Sequence, residues 1–102
     1  MEKRTPHYPL RDVQKRVADP SSRPFTVTAL RGGAALGLTE TDMREVVLAL
    51  SRSDFYKAMT THADARFWQD VYHGTTPDGT AVYIKITGDA AGRPPVIQFK
   101  AK

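Results

Sequence analysis

Apolar residues recur on a helical period through the first half of the chain and on a period of two near its end. Leu10, Val13 and Val17 share one face of a helix running from Pro9 to Val17, and proline suits a first helical turn. Asp12 and Arg16, four residues apart, are placed to pair on its wet side. Pro20 stops it. Between Phe25 and Leu38 the signals conflict. Phe25-Thr26-Val27-Thr28 alternates as a strand does, whereas Ala29-Leu30 and Ala34-Ala35-Leu36 look helical, and Gly32 and Gly33 each weaken a helix by about 1 kcal/mol. The balance favours a short helix from about Thr28 to Leu36, with Gly37 as its C-terminal cap. Thr39 or Thr41 caps a third helix, with Glu40, Asp42 and Glu45 near its positive end. Met43, Val46, Val47 and Leu50 form its apolar stripe, and it ends near Ser51 to Ser53.

From Phe67 onward three strands are expected, Phe67–His73, Thr80–Thr87 and Pro95–Lys100, with turns at 75–79 and 88–92. Connections this short join antiparallel neighbours, so this part is a meander. In the middle strand Val82, Ile84 and Ile86 take one face, and Tyr83, Lys85 and Thr87 the other. In the last, Ile97 and Phe99 oppose Gln98 and Lys100. A sheet with one aliphatic face needs a covering layer, which the helices supply. The expected fold is therefore α+β, with helices packed on one face of a small twisted antiparallel sheet. Tyr83, Lys85 and Lys100 are left on an open surface. Such Tyr/Lys alternation is also ordinary patterning for a solvated strand face. The first strand splits less cleanly. If Gln69 lies on the open face, Trp68 and Tyr72 go inward and bury Asp70, which then needs a partner.

Composition narrows the chemistry. The chain has 102 residues, enough for one domain spanning 1–102, with 40% hydrophobic and 25% charged residues as in ordinary globular proteins. The formal charge of +4 is compatible with a polyanionic partner without selecting one. Cysteine is absent, which removes disulfides, thiolate zinc sites and cysteine nucleophiles. Met1-Glu2-Lys3-Arg4 leads into no apolar segment, so neither a signal peptide nor a membrane span is expected, and the cytoplasm is the default location. His7, His62 and His73 are too scattered for a metal site by spacing, and Asp64 and Asp70 read as solvated or capping carboxylates. Neither a Gly-rich phosphate loop nor a Gly-x-Ser-x-Gly motif occurs. No metal or other cofactor is expected.

Several segments carry a family resemblance: Met1-Glu2-Lys3-Arg4-Thr5-Pro6-His7, Leu36-Gly37-Leu38, Ser53-Asp54-Phe55-Tyr56-Lys57, Met59-Thr60-Thr61, Trp68-Gln69-Asp70-Val71-Tyr72, Val82-Tyr83 with Lys85-Ile86-Thr87, and Phe99-Lys100 followed by Lys102. In order and spacing these resemble the MqsR family of bacterial mRNA interferase toxins, part of the broader RelE-like group. Departures fall in residues 19–35, on the Arg44–Ala49 helix face and in the two hairpin turns. The resemblance implies a RelE-like α+β fold. It implies metal-independent, sequence-selective cleavage of single-stranded mRNA at short GC-containing sites such as GCU. It also implies neutralisation by a cognate antitoxin, an MqsA-like zinc-binding protein with a helix-turn-helix domain. The family's active-site Lys, Gln and Tyr fall on Lys57, Gln69 and Tyr83, and its C-terminal Lys on Lys100. Lys85, which shares a face with Tyr83, joins Lys100 as an expected RNA-binding residue by parity.

RNA is cut without a metal most simply by in-line attack of its own 2′-OH on the adjacent phosphorus. That reaction needs a positioned chain, a base, an acid and stabilisation of the phosphorane. Lys57 is a candidate for phosphate stabilisation or proton transfer, and crowding among lysines is expected to depress its pKa. Tyr83 is the other candidate for proton transfer, and Gln69 for orientation. Which of Lys57 and Tyr83 is acid and which base stays open at this level. Two alternatives use the same residues without chemistry. One is an RNA-binding module with a basic, tyrosine-bearing platform. The other is an antitoxin-binding subunit, with the last strand, Pro-free after Pro95, offering its edge to a partner chain.

Overall fold

The computed structural model describes residues 1–61, 66–88 and 94–102. Among them three nine-residue helices precede most of the sheet: α1 (Leu10–Ala18), α2 (Val27–Ala35) and α3 (Glu40–Leu48). The apolar stripe of α1 buries Val13 and Val17. Arg16 does not turn to Asp12 as expected. Its guanidinium donates instead to the carbonyls of Pro95 (2.6 Å) and Arg23 (3.3 Å), tying α1 to the last strand and to the connector before α2.

The conflicting signals around Phe25 are both realised. Phe25 makes an isolated parallel bridge to Ile97, and Thr26 then caps α2 by accepting the Ala29 N–H at 3.0 Å. The α2 C-terminus closes on Gly37 at φ +78°, where Gly37 N–H reaches Ala34 O and Leu38 N–H reaches Gly33 O, both at 2.9 Å. Gly33 weakens α2 locally, yet a Cβ there would run into the Met43 side chain, so the glycine lets α2 and α3 approach. A Thr39/Asp42 capping box starts α3, which ends a few residues earlier than its stripe suggests and gives way to a 3₁₀ turn at Arg52–Asp54.

Five strands form one antiparallel sheet in chain order: β1 (Glu2–Lys3), β2 (Phe55–Thr60), β3 (Trp68–Thr75), β4 (Ala81–Thr87) and β5 (Val96–Ala101). The last three are the expected meander; β1 and β2 enlarge it. Tyr56 is an unmatched extra residue in β2, because Phe55 opposes Tyr72 and Lys57 opposes Val71. Such a bulge breaks the period of two that would have marked the strand.

The helices cover one face, giving an α+β fold. Tyr72, Val82, Ile84, Ile86, Ile97 and Phe99 are buried there against Val13, Val17, Met43, Val46 and Val47. Asp70 lies on this closed face with no exposed surface. Its two oxygens accept the backbone N–H groups of His7 (2.9 Å) and Tyr8 (2.8 Å). Asp70 is thus neither solvated nor a helix cap, correcting that expectation. Burial raises its pKa above the ordinary value, and the two amides oppose the rise. Next to it Trp68 stacks on His7 (centroids 5.3 Å apart), with the Lys3 ammonium 4.3 Å from the Trp68 ring centroid. These contacts fasten residues 3–8 to β3.

The outer edge of β5 is already used. Ile97 N–H donates to Pro24 O at 2.7 Å, Thr26 N–H donates to Ile97 O at 3.2 Å, and α2 packs alongside. An incoming strand would have to displace this segment, so the expected edge docking on the last strand is not supported. His62, Asp64 and most of the second turn (89–92) lie outside the described residues. Among those described, no helix is long and apolar enough to cross a membrane.

Candidate functional site

Antiparallel register sorts the uncovered face into rows. Glu2, Met59, Gln69, Thr87 and Val96 oppose one another across β1 to β5. The next row is Lys57, Val71, Lys85 and Gln98, and the one after it is His73, Tyr83 and Lys100. Parity explains the selection, since each neighbouring position (Ala58, Asp70, Tyr72, Ile84, Ile86, Phe99) turns into the core.

Lys57, Tyr83, Lys85 and Lys100 line one shallow depression together with Tyr56, Met59 and Val71. Four of the five side chains named from the sequence therefore share a concavity. Gln69 does not line it. It stands in the adjoining row, its Nε2 donating to Thr87 Oγ1 at 2.9 Å, so its amide is anchored beside the depression.

Lys57 departs from expectation in its electrostatics. Its Nζ lies 2.7 Å from Glu2 Oε1; the Glu2 side chain is exposed and that of Lys57 partly so. The Glu2 carboxylate raises the Lys57 pKa above the ordinary lysine value, while Lys57 lowers that of Glu2. Crowded lysines were expected to depress it; the carboxylate on β1 reverses the sign. Lys57 is an ammonium at neutral pH in the free protein, suited to stabilising negative charge or donating a proton.

Four groups on this face escaped the sequence reading as site residues: Glu2, Tyr56, His73 and Lys102. Tyr56 is 46% exposed at the β2 bulge. Its ring lies 4.7 Å from that of His73, and His73 meets Tyr83 edge-on at 5.2 Å. The Lys102 ammonium is 5.8 Å from the Tyr83 ring centroid and 3.3 Å from His73 Nδ1. Burial, then the Lys102 charge, lowers the His73 pKa, favouring the neutral ring, and its Nε2 is buried without a hydrogen-bond partner. Parity ties His73 to Gln69 and Val71, but the sequence left open which face that set takes; the register puts it on the uncovered one. Tyr56 reads from the sequence as core rather than as a base-stacking ring, an expectation its exposed place on a bulge overturns, and Glu2 sits on a two-residue strand that carries no signal.

This arrangement combines ammonium groups able to hold phosphate, a tyrosine hydroxyl able to donate a proton, and aromatic faces able to stack on bases. Among the described residues no three His, Asp or Glu side chains come together as metal ligands. A separate hollow between α1 and the start of β5 is mainly apolar; the Tyr8 hydroxyl and Arg16 guanidinium that line it already donate to the carbonyls of Trp68 and Pro95.

Comparison with known proteins adds an independent line. The family described as "Motility quorum-sensing regulator, toxin of MqsA" matches residues 5–101. The mRNA interferase toxin MqsR of Escherichia coli (strain K12) is 48% identical over 87 residues, covering 85% of this chain and 87% of that protein.

Proposed function

The chain belongs to the MqsR toxin family, and from that premise we propose that the open sheet face is where it cleaves RNA. The protein is an endoribonuclease of the mRNA interferase class. We infer that it cuts single-stranded mRNA at short GC-containing sites by attack of the 2′-OH, without a metal. The observation carrying this reading is the convergence of Lys57, Tyr83, Lys85 and Lys100 on one depression, with Tyr56 at its side. The lysines hold the phosphates around the cut. Lys57 neutralises charge gathering on the phosphorane, Tyr83 supplies a proton to the leaving oxygen, and Gln69 orients the chain next to them. Tyr56 offers the exposed ring for a base.

With mRNA as its substrate, we expect it to work in the cytoplasm. A cognate antitoxin, an MqsA-like zinc-binding protein with a helix-turn-helix domain, is the partner we expect to neutralise it.

The test is an end-labelled RNA containing a GCU site, incubated with pure protein in EDTA. The expected products carry a 2′,3′-cyclic phosphate and a 5′-OH, and a single 2′-deoxy substitution 5′ of the cut protects the strand. Cleavage of that protected strand, or loss of activity in EDTA restored by a divalent cation, would overturn the mechanism.

A further inference from the structure

The reaction above lacks a proton acceptor. Tyrosine and lysine side chains hold their protons at neutral pH, so they can donate or stabilise more readily than accept. The neutral His73 ring would be an alternative, but its Nε2 is shielded from solvent and its Nδ1 faces Lys102. Glu2 is the carboxylate on this face among the described residues.

Glu2 is not a frayed terminal residue. Met1 O accepts the Thr60 N–H at 3.0 Å, and the Met1 ammonium donates to Thr60 Oγ1 at 3.1 Å. Lys3 pairs with Ala58, Arg4 O accepts from the Arg52 guanidinium at 2.9 Å, and Asp70 holds the amides of His7 and Tyr8. A buried carboxylate thus anchors the arm that carries the exposed one. Glu2 lines a hollow with Lys3, Arg4, Tyr56 and Lys57; the depression holding Tyr83 shares Tyr56 and Lys57 with it. Lys57 therefore stands between a carboxylate on one side and a phenol on the other. In-line displacement needs that order, because the attacking and leaving oxygens lie on opposite sides of phosphorus.

We propose that Glu2 is the general base of the cleavage reaction, a role that rests on the reading of this face as the site of RNA cleavage. The Glu2 carboxylate takes the 2′-OH proton as the O2′–P bond forms. Lys57 holds the non-bridging oxygens. The P–O5′ bond breaks, and O5′ takes the phenolic proton of Tyr83. One strand ends in a 2′,3′-cyclic phosphate, the other in a 5′-OH, and Glu2 and Tyr83 regain their starting states by exchange with water. An exposed ion pair adds little to stability, so the pair is readily opened by a phosphate. In the free protein Lys57 keeps Glu2 ionised. Bound phosphate then engages Lys57 and brings a second anion to Glu2, so the carboxylate becomes more basic as substrate arrives. The groups facing it are Lys57 and Tyr56 from β2, and the amino terminus, Lys3 and Arg4 from its own arm.

The test is a set of pH–rate profiles in EDTA for the wild type, Glu2→Gln and Glu2→Asp. Affinity is measured on an RNA made uncleavable by one 2′-deoxy residue. Glu2→Gln should lower kcat by about 10²-fold or more, abolish the acidic limb, and retain affinity and thermal stability. Glu2→Asp, which keeps the charge one methylene short, should lose less and keep the limb. In the wild type the acidic limb of kcat should lie at higher pH than that of kcat/KM, since the first reports the complex and the second the free enzyme. Wild-type kcat in Glu2→Gln with the acidic limb intact, or a change confined to KM, would overturn the assignment of Glu2 and leave the cleavage reading standing. A wild-type protein that fails to cut, or that cuts the 2′-deoxy strand, would overturn both.

Discussion

Tyr72 and Tyr83 lie on neighbouring strands and face opposite ways. Tyr72 has no exposed surface, its ring meets Phe55 edge-on at 5.3 Å, and its hydroxyl is buried without a hydrogen-bond partner. Burial pushes its pKa up to about 12. Tyr83 is half-buried on the open face, edge-on to His73 and close to Lys102, and lines the depression with Lys57, Lys85 and Lys100. One position of strand parity decides which tyrosine packs and which can meet a ligand. The same contrast separates the carboxylates. Asp70 holds the chain's own amides, whereas Glu2 holds an ammonium that a phosphate can claim.

Substitutions on the two faces should therefore fail in different ways. The largest effect expected is Lys57→Ala, which removes the ammonium proposed to face the phosphorane: kcat should fall by about 10²–10⁴-fold. The unfolding midpoint should stay near wild type, because the ion pair is open to solvent on its Glu2 side and partly so at Lys57. A comparable loss of stability would mean that this face is structural after all. Asp70→Ala should lose stability first, and turnover only as a consequence. It strands two backbone donors, at about 1–3 kcal/mol for each left unsatisfied, and equilibrium urea unfolding should report the loss. Turnover should fall with it, because the arm carrying Glu2 is loosened.

Gln69→Ala comes next, with a loss of turnover smaller than that of Lys57→Ala, since Gln69 lies beside the depression and offers orientation rather than charge. The smallest effect concerns Tyr72 and alkaline pH. Its proton is lost at an ordinary value of 10 in the unfolded chain and at about 12 in the fold. The unfolded state therefore binds fewer protons between those values, and stability falls as pH rises through them. Tyr72→Phe should flatten that fall, as denaturation midpoints measured from pH 9 to 11 would reveal.

The closed face was the more legible of the two. Val82, Ile84, Ile86, Ile97 and Phe99 alternate without interruption, so their strands and their burial follow from a period of two. Helices α1 and α3 were legible from their own period of about 3.6, with a cap at Thr39, whereas α2 showed conflicting signals and was marked chiefly by the left-handed Gly37 at its end. Strand β2 was not legible, because the bulge at Tyr56 breaks its alternation and Ala58 and Met59 carry little strand preference. Strand β1 is two residues long and exists through its pairing with β2, a tertiary fact that no local pattern contains. The consequence was chemical. Parity could place Tyr83, Lys85 and Lys100, and resemblance could nominate Lys57 and Gln69. The partner of Lys57 stayed hidden, and with it the sign of the Lys57 pKa shift.

Deleting the same atom on each face tests the account most directly. Tyr83→Phe and Tyr72→Phe each remove one phenolic oxygen and keep the ring. With turnover, affinity for an uncleavable RNA and unfolding midpoint measured side by side, Tyr83→Phe should lose about 10²–10⁴-fold in kcat with affinity and midpoint retained. Tyr72→Phe should turn over as wild type and be at least as stable, because its hydroxyl lacks a partner. Wild-type turnover in Tyr83→Phe would contradict the assignment of chemistry to the open face.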